Sequence, residues 1–437
     1  MALNPLDNAT LFIPQEPNSA EKLDIQTPMI EGLIMRLLYT RSVLQGHEIA
    51  TTICLPFFGI LEPIIEALKE QKMIEVIKGE RSSITYTYGI TDLGRERAVQ
   101  YFEQTTYIGP APISLDSYRK AIHEQSIHRI SINAEKLLEA FEGLIFESEI
   151  LNQVGPAVNS GRSIFLYGPP GNGKTSICER IVASLGGAIF IPFAIEAQGQ
   201  IIKLYDEYNH QAVQENDDIR LQSKYDPRYK LIRRPMIIVG GELTLNTLDL
   251  IWNPDSRYYE APLQLKSNGG AFMIDDFGRQ RIEPKVLLNR WIVPLEKRVD
   301  YLTTHTGTKI DVPFDELIVF STNLNPNELV DEAFLRRIRY KIGIHNPTPE
   351  NFIKIWELVS AGKKVPFDHS VPEYFIQKHM IEKNRPLRGC IPRDIIDYII
   401  DVCRFKQIEP TMSAELLDEA AEAYFVTFKS TDYVMAK

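Results

Sequence analysis

The chain of 437 residues contains Gly168-Pro169-Pro170-Gly171-Asn172-Gly173-Lys174-Thr175, a full match to G-x-x-x-x-G-K-[ST]. The apolar run Ser163-Ile164-Phe165-Leu166-Tyr167 ahead of it reads as a buried strand. Behind it, Ile177, Ile181 and Leu185 recur at helical spacing from Thr175 to Leu185. A strand, a glycine loop and a helix in that order curl backbone N–H groups around a phosphate, and the helix N-terminus adds a partial positive charge. Lys174 is placed to reach β- and γ-phosphates, and the Thr175 hydroxyl to bind Mg²⁺. Residues 168–175 and Ser176 are therefore expected to hold a nucleoside triphosphate.

The chain is too long for one compact core, so two or three domains are expected. Residues 1–28 are polar, proline-punctuated and expected to be extended and weakly ordered. They lack a basic n-region followed by an apolar core, so no secretory leader is expected. Residues 29–107 read helix, helix, helix, strand, strand, helix, the third helix spanning about residues 57–71. Residues 108–132, with Gly109-Pro110-Ala111-Pro112, read as a linker. Residues 133–345 alternate strands and helices, the signature of a parallel α/β sheet, and residues 346–437 turn helical before a short polar tail.

The four cysteines are scattered with no C-x-x-C pair, which points to free thiols in a reducing, cytoplasmic setting and away from a zinc site. No apolar run approaches the roughly 20 residues of a membrane helix. A net charge of −10 disfavours bulk attraction to nucleic acid.

Downstream, Ala271-Phe272-Met273-Ile274-Asp275-Asp276 describes a buried strand that delivers two carboxylates at its end. Asp275 is the candidate Mg²⁺ holder, and Asp276 stands where a general base or water-orienting group is wanted. A second apolar strand, Leu317-Ile318-Val319-Phe320-Ser321-Thr322, ends at Asn323, an amide that can position an attacking water. Asp331-Glu332-Ala333-Phe334-Leu335 leads into Arg336, Arg337 and Arg339. Arg393 falls in the first turn of a later helix, where a cation opposes the helix dipole and calls for a functional reason.

These elements, in this order, resemble the AAA+ ATPase family over roughly residues 133–428. The resemblance implies a P-loop NTPase α/β sheet with a C-terminal helical lid, ATP and Mg²⁺ as ligands, and hydrolysis. It makes 168–175 Walker A, Asp275-Asp276 the end of Walker B, Asn323 sensor 1 and Arg393 sensor 2. Arginine fingers would lie among Arg336, Arg337 and Arg339, with Arg336 favoured because it follows Ala-Phe-Leu. Family fingers reach into a neighbouring subunit, which implies a ring, commonly a hexamer. The family usually has Glu where this chain has Asp276, shorter by one methylene, so slow hydrolysis is one expectation.

Nearly eighty residues separate Ala188–Phe193, read as the second strand of the sheet, from Walker B. Val299–Pro313 reads as a β-hairpin around His305-Thr306-Gly307. Gly240-Gly241 and this hairpin are similar to the pre-sensor-1 hairpin branch, with MoxR-like chaperones, magnesium-chelatase subunits and enhancer-binding activators. Such insertions line a pore or touch substrate; Tyr258 and Tyr259 read equally as packing residues.

Residues 29–107 resemble a winged helix-turn-helix domain. Its third helix has no Arg and carries Glu62, Glu66 and Glu70 on one face, which opposes phosphate contact and favours a protein partner over DNA. The whole chain is similar to bacterial AAA+ ATPases with an N-terminal winged helix. The expectation is an oligomeric, ATP-driven remodelling protein. The alternatives are a DNA-associated regulator and a nucleotide-gated scaffold with poor hydrolysis.

Overall fold

A computed structural model of the chain describes residues 12–79, 81–214, 218, 220, 223–329 and 335–425. Residues 1–11 of the N-terminal segment, the run Asp331 to Phe334 before the arginines, and the polar tail lie outside the described residues.

The N-terminal core forms on helix Thr27–Arg41, which buries Ile30, Leu33, Ile34, Leu37 and Leu38 along one side. Strands Val43–Gln45, Ile74–Lys78 and Thr87–Ile90 make an antiparallel sheet with Thr87–Ile90 in the centre. Val43–Gln45 has only three residues, too few to show alternation in the sequence. The helix expected over about residues 57–71 is broken. Phe58 is extended and Gly59 sits at φ +80°, so the regular helix runs Glu62–Glu70. Pro63 falls in its first turn, where a missing N–H forfeits no helical bond.

The glycine loop stands on a five-stranded, wholly parallel sheet in the order Met236–Val239, Ala271–Ile274, Leu317–Thr322, Ile164–Tyr167, Tyr340–Gly343. Alternate residues feed opposite faces. Ile164, Leu166, Met273 and Val319 pack with Ile177 and Ile181 of helix Lys174–Leu185. Phe165, Phe272, Ile274 and Phe320 pack with Phe277 and Trp291 on the other side. Both faces are covered, which is why these strands read as unbroken apolar runs.

Ala188–Phe193 is not the second strand of this sheet. Ala188–Pro192 pairs antiparallel with Tyr229–Arg233, and Met236–Val239 takes the place beside Ala271–Ile274. Both runs are apolar, so hydropathy does not choose between them; the antiparallel partner does. The largest insertion therefore lies between helix Lys174–Leu185 and strand Met236–Val239.

A second, mixed sheet runs Ile251–Asn253, Tyr258–Glu260, Gln200–Lys203, Ala194–Ala197, Ile113–Ser114. Residues 108–132 are thus more than a linker. They supply the edge strand Ile113–Ser114 and helix Leu115–Glu124, whose Tyr118, Ala121 and Ile122 enter this second core. The prolines that read as linker stand only at its entry. The described part of the N-terminal segment, from residue 12 on, also makes contacts here. Asp24 accepts from Ser114 N at 2.8 Å and pairs with buried Arg228 at 2.8 Å, while Asp226 N donates to Pro14 O at 2.9 Å.

Strands Val299–Thr303 and Lys309–Pro313 form a hairpin that turns at Gly307, φ +84°. Its tip is clamped onto the mixed sheet: His305 stacks on Trp252 with ring centroids 4.1 Å apart, and its N–H donates to the Tyr259 hydroxyl at 2.9 Å. Tyr259 is fully buried, and Tyr258 meets Tyr107 edge-on, so both tyrosines serve packing.

Helices Pro349–Lys363, Ser370–Phe375, Ile391–Lys406 and Ala414–Tyr424 gather around Phe352, Trp356, Phe375, Ile395 and Ile399 as a separate C-terminal core. No single described helix is long and apolar enough to cross a membrane.

Candidate functional site

The parallel sheet aims three strand ends at one place. Ile164–Tyr167 leads into the glycine loop, Ala271–Ile274 into Asp275-Asp276, and Leu317–Thr322 into Asn323. The loop is packed tightly against the chain beyond edge strand Tyr340–Gly343. Gly168 lies at φ +140° with Ile344 O so near that a Cβ would sit 2.0 Å from it, and Gly171 and Gly173 adopt φ +82° and +79°. Gly173 caps helix Lys174–Leu185, whose free N–H groups face the loop.

Lys174 is buried, and its Nζ donates to Gly168 O at 2.9 Å, Pro169 O at 3.0 Å and Asn323 Oδ1 at 2.6 Å. Burial holds its ammonium below the ordinary lysine range, against the opposing pull of Asp275 and Asp276. Thr175 Oγ1 donates to Asp275 Oδ2 at 3.3 Å. Asp275 Oδ1 accepts from the Ser321 hydroxyl at 2.8 Å and from Asp276 N at 3.0 Å. Asn323 Nδ2 then donates to Asp276 Oδ1 at 2.7 Å, so the amide joins the lysine to the second carboxylate.

Asp276 is exposed and sits at φ +49°, in the left-handed region that Asp and Asn tolerate better than longer side chains. Local geometry thus gives a reason for Asp at this position. A hydroxyl and a carboxylate of hard oxygen character, side by side at Thr175 and Asp275, fit Mg²⁺.

The C-terminal helical domain rests on the loop. Cys390 N donates to Gly171 O at 2.8 Å and Gly389 N to Asn172 Oδ1 at 2.9 Å, while Asn172 Nδ2 donates to Asn346 Oδ1 at 2.9 Å. Beside this junction lies a cleft lined by Phe146, Ile150, Ile344, Pro347, Asn351 and Ile355. Its walls are mostly apolar, and Asn172 reaches it from the loop side.

The structure therefore brings together Lys174, Thr175, Asp275, Asp276 and Asn323. It leaves the arginines at the margin. Arg336, Arg337 and Arg339 are exposed just ahead of edge strand Tyr340–Gly343; Arg337 pairs with Glu296 at 2.8 Å and Arg339 lies over the Tyr340 ring. Arg393, also exposed, pairs with Asp394 at 2.8 Å, three residues beyond the Cys390 contact. Sequence reasoning misses Ser321, Asn346 and Phe146. Only Ser321, beside Asn323 at a strand end, carried a signal that could have found it.

A family model described as a domain of unknown function (DUF8689) matches residues 348–423, the C-terminal helical domain. No curated protein matches the sequence. Among solved structures, the chain is similar to NtrX from Brucella abortus in complex with ADP, at 13% identity and TM-score 0.40, over 77% of this chain and 68% of that one. It is also similar to the Thermotoga maritima RuvB Holliday junction branch migration motor, at 12% identity and TM-score 0.37, over 68% and 73% of the two chains. At those scores the likenesses assign no activity.

Proposed function

We propose that the chain is an AAA+ ATPase that binds ATP with Mg²⁺, hydrolyses it and works as a ring of subunits on a protein partner. The observation that carries this reading is the convergence of Lys174, Thr175, Asp275 and Asn323 at three strand ends of one parallel sheet. The loop N–H groups and the Lys174 ammonium would hold the β- and γ-phosphates, and the apolar cleft at Phe146 and Ile150 would take the base. Thr175 and Asp275 would hold Mg²⁺, which neutralises charge developing on the phosphates. Asp276 and Asn323, already bonded to each other, would orient the attacking water, with Asp276 accepting its proton.

Support for the family comes from the order of the strands. The loop-bearing strand lies between Tyr340–Gly343 and the Asn323 strand, and a hairpin interrupts the chain just before the Asn323 strand. The exposed Arg336 would complete the site of an adjacent subunit, and Arg393 would close from the lid. The N-terminal unit of four helices and three strands would be the winged helix. In it Glu62 accepts from Ser83 and Glu66 pairs with Lys69, which leaves that helix poor in free cations for DNA.

The test is Mg²⁺-dependent phosphate release from ATP, run on wild type, Arg336→Ala, Asp276→Asn and a mixture of the two variants. Recovery of turnover in the mixture is the expected result, since a mixed ring contains sites with Asp276 on one side and Arg336 on the other. Absence of Mg²⁺-dependent turnover in the wild type would overturn hydrolysis, and a mixture no better than its parts would overturn the shared site.

A further inference from the structure

Asn172 occupies a variable position of the loop pattern, yet its side chain is only 6% exposed and both its ends are used. Its Oδ1 accepts from Gly389 N at 2.9 Å, at the entry to lid helix Ile391–Lys406. Its Nδ2 donates to Asn346 Oδ1 at 2.9 Å, on the segment that leads from edge strand Tyr340–Gly343 to helix Pro349–Lys363. One side chain therefore ties the loop both to the segment that leaves the sheet and to the start of a later helix of the helical domain.

The backbone alongside repeats the contact. Cys390 N donates to Gly171 O at 2.8 Å, and a Cβ on Gly171 would lie 2.5 Å from Cys390 Sγ. Only glycine at 171 lets the lid come this close, and its φ of +82° is likewise a glycine conformation. A buried amide with donor and acceptor both satisfied fixes geometry, because losing either partner strands a polar group.

We infer that Asn172 is a positioning residue that couples phosphate occupancy of the loop to the seating of the C-terminal helical domain. The inference rests on the nucleotide reading above. A phosphate gathered by the loop N–H groups fixes the backbone of residues 171–173. That backbone sets the Asn172 amide, and the amide sets Gly389 and the start of the lid helix. Coupling of this kind requires an element that both sites bias, and the shared amide is that element.

Amide hydrogen exchange on the full chain, with and without saturating ADP, tests this in wild type, Asn172→Ala and Asn346→Ala. In the wild type, ADP should slow exchange at residues 174–185 and also at 388–394, each by at least about fivefold. Asn172→Ala keeps the backbone N–H that the loop offers to phosphate, so at ADP concentrations that saturate each variant by titration the slowing at 174–185 should persist while that at 388–394 falls away. Asn346→Ala, which cuts one arm and leaves the Gly389 bond, should keep part of the lid response. Equal slowing at 388–394 in wild type and Asn172→Ala would overturn the coupling. Absence of slowing at 174–185 in the wild type would instead overturn the nucleotide reading.

Discussion

Lys174 Nζ donates to Asn323 Oδ1 across 2.6 Å, joining the loop to a strand end 149 residues later in the chain. The same amide reaches Asp276 at 2.7 Å, so Asn323 sets the spacing between the cation and the second carboxylate. Replacing Asn323 with Ala removes this spacer and leaves binding groups intact. Turnover should fall by about 10²-fold while nucleotide affinity stays within a few-fold. Steady-state kinetics beside equilibrium titration checks the split.

Asp276 carries two predictions, from the role proposed for it and from its backbone. Asp276→Asn should lower turnover by about 10²-fold or more, as for loss of a general base. Asp276→Glu restores the family's usual length but places a longer side chain at φ +49°. It should destabilise the protein by about 1 kcal/mol, read by chemical denaturation, and should bring no large gain in turnover. A large gain would mean that the short side chain, and not the strand-end geometry, limits hydrolysis.

The phosphate motif, Asp275 and Asn323 were legible because each polar group ends an apolar run, and strand ends of a parallel sheet converge. Lys174 and Thr175 then follow from the loop pattern alone. Strand neighbours were not legible. Ile189 and Phe190 look as strand-like as Ile237 and Ile238, and only long-range pairing separates them. Ile113 and Ser114 hid in a proline-rich stretch because a two-residue edge strand has no period. Asn172 and Asn346 were hidden for another reason: their bond spans 174 positions and joins two residues with no local pattern.

Glu316 is fully buried ahead of the Asn323 strand, and neither carboxyl oxygen has a hydrogen-bond partner among the described residues. Burial raises its pKa well above the usual carboxylate value, with Asp315 and Asp300 adding to the effect. The folded state therefore keeps a proton that the unfolded state releases above about pH 4.3. Stability drawn from this group is present below that pH and is lost as pH rises towards the folded value. Glu316→Gln should raise the melting temperature at pH 8 more than at pH 5.

Asp24 anchors the N-terminal segment through Arg228 and Ser114 N. Burial pushes its carboxyl up, but the adjacent Arg228 guanidinium and hydrogen bonds from Ser117 and Ser114 together hold it below the ordinary range. Asp24→Ala leaves Arg228, 5% exposed, with Asp226 as its remaining carboxylate. With that partner kept, the loss should be about 2 kcal/mol in chemical denaturation, and residues 12–26 should become sensitive to protease.

Calorimetric titration of Mg·ADP into the wild type and into Lys174→Ala decides whether the loop holds phosphate. The wild type should bind at one site per chain, and the variant at least about tenfold more weakly, the loss expected for a charged hydrogen-bond donor. Equal affinities in a variant that unfolds at the same denaturant concentration as the wild type would contradict the nucleotide site altogether.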